Sequence, residues 1–315
     1  MKIFLKMVCA TLALLMLTAS FFACAEVKKN DKLKIVCTVL PLYDFCREIV
    51  GSNADLILLS GSSSDYHSYE PTATDILEIS SCDIFVYIGG TSESWVDKTI
   101  TASGNGNMTK VRTMSLVELL PIGGEEHDHD EHEHEHDEDE ADEHIWTSIK
   151  NAILIAEGIC DAVCTADEEN RSTYEENCRK YGDKLSSLDK EYRKCVEESP
   201  IKELVFADRF PFAYLANDYG IECHAAFTGC SSESEASFEV MASLINEVKE
   251  KSLPAVIMIE GSKGDIADTV CKATGVKKLT MDSCQSAAND TIKKTDIYYN
   301  AMRNNLEILR EALGN

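Results

Sequence analysis

Residues 173–196 read TYEENCRKYGDKLSSLDKEYRKCV. Tyr174, Cys178, Tyr181, Leu185, Leu188, Tyr192 and Cys195 fall at intervals of 4, 3, 4, 3, 4 and 3. That spacing draws one apolar stripe along a helix and leaves the other faces to charged residues. With its flanks the pattern predicts a helix from about Ala166 to Val196, roughly 45 Å long at 1.5 Å per residue. A coiled-coil dimer helix is one reading. Three heptads in the middle of an α/β chain favour the other, an internal strut in a monomer.

On both sides of the strut the chain repeats strand, turn and helix. Leu33–Val39, Asp55–Leu59, Asp83–Ile88 and Lys110–Met114 read as strands, with helices over Tyr43–Val50, Pro71–Ser80 and Glu93–Ala102. After the strut, Glu203–Ala207, Ile221–Phe227, Ala255–Ile259 and Lys277–Met281 read as strands. Their helices are Pro211–Tyr219, Glu235–Lys251, Asp265–Thr274 and Asp296–Leu313. Continuous apolar strands alternating with helices imply parallel sheets covered on both faces. The expected class is α/β, with two lobes, each a small parallel sheet flanked by helices, joined by one long rigid helix. The first lobe covers 33–121 and resumes over 145–165, the linking helix takes 166–198, and the second lobe runs over 199–315.

Lys2 and Lys6 precede an apolar run from Met7 to Ala23, and Cys24 follows. This reads as a secretory signal over 1–24, with Cys24 as a lipidated first residue of the mature chain; a plain cleaved signal is the alternative. The chain carries 55 acidic against 30 basic side chains, a formal net charge of −25, which argues against nucleic acid as a partner, since that requires Lys/Arg surfaces. Of 13 cysteines, 11 remain once Cys9 and Cys24 are set aside. An odd number without a CxxC points to small buried apolar residues rather than a disulfide framework. Cys230 and Cys284, each past a second-lobe strand, form the one pair expected to approach each other.

Residues 122–144 form a His-rich acidic loop. Glu125 to Glu143 holds 13 acids and no Lys or Arg, interleaved with His127, His129, His132, His134 and His136. Such a stretch has no apolar face to bury. A solvated spacer is the plain reading, but neutral imidazole is the commonest metal ligand, which favours a low-affinity metal collector. His132 to His136 also matches H-E-x-x-H, which needs a packed helix that this composition does not support.

Other polar residues gather just past predicted strand ends, the rim where open α/β sheets bind ligands. His67 follows the second strand, and His144 opens the segment after the acidic loop. Asp208 follows ELVFA, Glu260 ends AVIMI, and Asp282 follows KKLTM. His67, His144, Asp208 and Asp282 make a four-coordinate donor set for zinc or manganese. Each is weak alone, and Asp208 serves equally well as a helix cap or a partner of Arg209. His224, inside a predicted strand, reads as a structural histidine.

The stretches DYHSYEPTATDI, DEHIWTSIKNA, FADRFPFAYLANDYG, AAFTGCSSESEASFE and YYNAMRNNLEILREAL give the chain a family likeness. From about Leu33 to Leu313 it resembles the zinc and manganese solute-binding proteins of bacterial ABC importers (cluster A-I). The resemblance implies a metal in the cleft between two lobes and delivery to an ABC permease and its ATPase. It implies that His67 and His144 are the first two ligands and Asp282 the fourth. The family's third ligand position falls on Ala207, with Asp208 next to it, and Ser283-Cys284-Gln285 stands where related chains carry Ser-Cys-His. The function expected is extracytoplasmic capture of a divalent metal, Zn2+ before Mn2+, by a chain held to the membrane through a lipid and without catalytic activity. The competing readings are a surface adhesin or metal-storage protein using the His-rich loop, and a metal-dependent hydrolase drafting Glu260 or Glu233 as base.

Overall fold

Leu33–Cys37 (β1), Ala54–Leu58 (β2), Ile84–Tyr87 (β3) and Thr109–Arg112 (β4) form the first sheet, all parallel, in the order β2-β1-β3-β4. Glu203–Phe210 (β5), Glu222–Thr228 (β6), Ala255–Ile259 (β7) and Lys277–Met281 (β8) form a second parallel sheet, ordered β6-β5-β7-β8. The α/β class and the two four-stranded lobes follow the sequence expectation. The computed structural model describes residues 32–60, 66–122, 141–229, 236–285 and 292–314. Cys24, the histidines from His127 to His136, and Cys230 lie outside the described residues, so the lipidation, collector and Cys230–Cys284 readings fall there too. Among the described residues, no helix is long and apolar enough to cross a membrane, and no cysteine is joined in a disulfide.

The first lobe's helices are Leu40–Val50 (α1), Ala73–Ser80 (α2) and Val96–Ser103 (α3). Ile149–Ala166 (α4) and Arg171–Glu198 (α5) follow. The helix α1 begins earlier than Tyr43 because Pro41 lies in its first turn, where a missing N–H costs nothing. By contrast α2 begins after Pro71. Thr72 caps it, accepting from the Asp75 amide while Asp75 Oδ2 takes the Thr72 amide at 2.8 Å. The strut α5 has 28 residues, about 42 Å at 1.5 Å per residue. It starts at Arg171 rather than Ala166 because Asp167 ends α4. The Asp167 carboxylate accepts from Tyr174 Oη at 2.7 Å and Asn170 Nδ2 at 2.8 Å, which favours a turn. All seven residues of the predicted stripe are buried, joined by Val196.

The second lobe's helices are Ala213–Tyr219 (α6), Phe238–Glu250 (α7), Asp265–Thr274 (α8) and Ile297–Ala312 (α9). The last crosses back, packing on α5 and on α1 of the first lobe. Its first turn has no side-chain cap of its own, and Asp296 sits at φ +56°. Asp44 of α1 supplies the cap instead: its buried carboxylate accepts the Tyr298 amide at 2.7 Å and pairs with Arg47. Burial raises the Asp44 carboxyl to about 6, against the pull of the Tyr298 amide and Arg47. Further ties cross between the halves. Trp146 Nε1 donates to the Ser283 carbonyl at 2.8 Å, Tyr298 Oη to the Trp146 carbonyl at 2.7 Å, and Tyr214 Oη to the Asp142 carbonyl at 2.8 Å.

Because Leu185 is fully buried on the strut, Leu185→Ala should cost about 2–5 kcal/mol, whereas Lys190→Ala on its exposed face should stay within about 0.5 kcal/mol. Urea denaturation followed by circular dichroism measures both. Equal midpoints for the two variants would show that the stripe does not anchor the fold.

Candidate metal centre

His67 stands on a short 3-10 turn, Tyr66–Ser68, beyond β2. His144 immediately precedes a second such turn, Ile145–Thr147, and is buried. The two imidazoles meet with Nε2 atoms 3.1 Å apart. Two nitrogens on one tetrahedral zinc, each bonded at 2.0–2.1 Å, sit about 3.3 Å apart, so the pair is already spaced for a shared ion.

The opposite nitrogens decide what the pair presents. His144 Nδ1 lies 2.7 Å from Asp142 Oδ1, which also accepts the His144 amide at 2.8 Å. An ionised carboxylate only accepts, so the His144 proton belongs on Nδ1 and its Nε2 carries a lone pair. His67 Nδ1 faces Ser92 Oγ at 2.9 Å. A hydroxyl donates or accepts, so His67 can keep its proton on Nε2, bridging to His144, or move it to Nδ1 and free Nε2 for a metal.

Glu143 fixes the loop that carries Ser92. Its Oε1 accepts from Thr91 Oγ1 and from the Ser92 amide, both at 2.7 Å. Burial works to raise this carboxyl, but the hydrogen bonds from Ser92 and Thr91 and the nearness of His67 hold it below the usual range. The approach is close: a Cβ at Gly90 would meet Glu143 Cγ at 2.3 Å. Asp142 and Glu143 are therefore buried parts of the fold and not solvated members of the acidic loop. Sequence reading missed them, together with Ser92. An acid two residues before a candidate ligand histidine was the available signal, masked by the acids before it.

The second lobe brings carboxylates to its own rim. Asp208 lies within β5, not beyond it, because the strand continues to Phe210 through a register shift between Phe206 and Arg209. Its oxygens accept the Arg209 amide at 2.9 Å and the Ile259 amide at 3.3 Å, stitching β5 to β7 where the ladder is interrupted. Asp282 Oδ1 accepts the Cys284 amide at 2.8 Å. Glu260 accepts from the Ser283 amide and hydroxyl at 2.8 and 2.5 Å. Burial raises Asp282, and burial together with the Asp282 charge raises Glu260 to about 7. Among the described residues, no third His, Cys, Asp or Glu brings a ligand atom within 4.8 Å of both facing imidazole nitrogens. The structure thus joins His67 to His144 and leaves Asp208 and Asp282 apart from them. Ala207 is buried in β5 and offers no donor.

A family model described as zinc-uptake complex component A, periplasmic, matches residues 35–312. The chain is 33% identical over 285 residues to the high-affinity zinc uptake system protein ZnuA of Bacillus subtilis, covering 90% of this chain and 89% of that protein. It is 32% identical over 290 residues to the zinc-binding lipoprotein AdcA of Streptococcus pneumoniae, covering 92% of this chain but only 58% of that relative's length. The Zn(II)-bound ZnuA-like domain of Streptococcus pneumoniae AdcA superposes with a TM-score of 0.74 at 29% identity, over 90% of this chain and 100% of that one. The metal-dependent lipoprotein YcdH of Bacillus subtilis gives 0.75 at 28%, over 90% and 99%.

Glu93, one residue beyond Ser92, is buried with Oε2 accepting the Gly89 amide at 2.7 Å, and burial raises its carboxyl to about 7. A carboxyl raised on folding stabilises the protein fully below its unfolded value near 4.5 and loses that contribution as pH climbs through about 7. Glu93→Gln should therefore shrink the fall in unfolding free energy between pH 5 and 7.5 by on the order of 3 kcal/mol. Urea titrations at the two pH values check this, and an unchanged fall would contradict the assignment.

Proposed function

The chain belongs to the family of periplasmic zinc-uptake components A, and from that premise we propose that it captures a divalent metal outside the cytoplasmic membrane and delivers it to an ABC permease and its ATPase. Zinc is the first candidate and manganese the second. The observation that carries the reading is the 3.1 Å approach of the two Nε2 atoms, one with its lone pair set by Asp142. His67 and His144 are the proposed ligands from the first lobe. Asp282 is the better of the two proposed ligands from the second, since Asp208 spends both oxygens on backbone amides. No residue is assigned a catalytic step. The histidines at 127, 129, 132, 134 and 136 serve as a low-affinity collector, because a stretch of interleaved acids and neutral imidazoles offers many metal donors and attracts cations.

Isothermal calorimetry with zinc tests the site. His67→Ala and His144→Ala should each weaken the tight event by more than about 100-fold, beyond the 10–100-fold typical of residues that only support a ligand. Deleting 126–140 should lower the number of weakly bound ions and leave the tight event unchanged. Undiminished tight binding in the double alanine variant would defeat the proposal.

We also propose that Cys24 carries the lipid that holds the chain to the membrane. Mass spectrometry of the mature amino terminus should find an acylated Cys24, and an unmodified Ala25 or Glu26 terminus would exclude the anchor.

A further inference from the structure

His224 does not behave as the satisfied strand histidine that its sequence context suggests. It stands on β6, the edge of the second sheet, where Glu203 pairs with Glu222 and Val205 with His224. Side chains alternate along a strand, so Glu203, Glu222 and His224 share one face. The helix α7 packs on β6 and contributes Glu247. His224 Nε2 lies 3.5 Å from Glu222 Oε1 and 3.9 Å from Glu247 Oε2. Ligand atoms of Glu203, His224 and Glu247 all fall within 4.8 Å of one another, the one such group of three among the described residues.

The ligand atoms gather at ion-pair distance without hydrogen-bonding one another. His224 Nε2 and Glu203 Oε2 are both buried, and neither has a hydrogen-bond partner. A distance of 3.5–3.9 Å is long for a hydrogen bond, yet close to the roughly 3.3–3.5 Å edge of a zinc tetrahedron. Charge favours a cation as well. Three carboxylates meet one lysine, Lys251, whose Nζ is 2.9 Å from Glu203 Oε1 and leaves Oε2 unused. The His224 side chain keeps 29% of its surface in water and Glu247 keeps 27%, so an ion can enter without the fold opening.

We propose that Glu203, His224 and Glu247, with Glu222 at the mouth, form a second divalent metal site on the flank of the second lobe. One imidazole with carboxylates suits zinc or manganese. Glu203 opens its strand, so the cluster lies toward the amino end of the sheet, away from the strand ends near Asp208, Glu260 and Asp282. A bound ion would tie the edge strand β6 to α7. The site does not depend on the role proposed for His67 and His144.

Crystals of the full chain soaked in zinc chloride, measured at the zinc absorption edge, decide the matter. An anomalous peak is expected about 2.0–2.2 Å from His224 Nε2 and from a Glu247 oxygen. It should persist in the His67→Ala/His144→Ala chain and vanish in both His224→Gln and Glu247→Gln. Equilibrium dialysis with elemental analysis should then find one zinc fewer per chain in either variant. Glu247→Gln, on a partly exposed helix face, keeps the test valid if His224→Gln folds poorly. Absence of a peak at His224 while the histidine pair fills would overturn the proposal. So would a peak that survives Glu247→Gln. Loss of binding at the histidine pair with the flank peak intact would count against the cleft reading alone.

Discussion

A carboxylate that can only accept, placed against His144 Nδ1, sets the chemistry of the cleft. Asp142 holds both the ring and the amide of His144, and its own carbonyl is held by Tyr214 from the second lobe. The next residues continue the clamp: Trp146 reaches the Ser283 carbonyl, and Ser148 bonds Asp218 at 2.5 Å. Turning the imidazole breaks its bond to Asp142, while the backbone that carries both residues is held from the second lobe. His67 is less constrained, since its partner is a hydroxyl with two roles. One imidazole is fixed in position and tautomer, and the other adjusts to it.

The two lobes contribute donors of different readiness. The first presents imidazole nitrogens facing each other, whereas the second presents carboxylates already engaged by backbone amides. Those bonds account for the presence of acids in a partly buried rim. Each amide offsets part of the cost of removing an ionised oxygen from water, and where burial outweighs it, as at Glu260, the carboxyl is pushed toward neutrality.

Much of the architecture was legible because periodicity is a local property. The stripe from Tyr174 to Cys195 is buried as spaced, and Ala255–Ile259, Asp265–Thr274 and Lys277–Met281 have the expected bounds. Misplaced boundaries trace to side chains acting on the backbone, as when Asp167 ends α4 or Thr72 starts α2. The histidine pair was legible from its motif contexts. Asp142 and Glu143 were not, since composition averages over an acidic run and cannot separate two buried acids from the ones before them. Asp208 was misplaced for a related reason, because the register shift that keeps it inside β5 depends on pairing with distant strands. His224 shows the converse limit: a strand context says nothing about the helix that will bring Glu247 to it.

The cap that Asp44 provides for α9 also bears on when the fold can form. Donor and acceptor are 254 residues apart in sequence. Until the Tyr298 amide arrives, the Asp44 carboxylate has Arg47 as its partner but lacks the backbone donor that completes its hydrogen bonding. Long-range contacts of this kind slow folding, because loop-closure entropy is lost before they form. A chain whose last helix is capped from its first lobe must bring its two ends together before either element is complete.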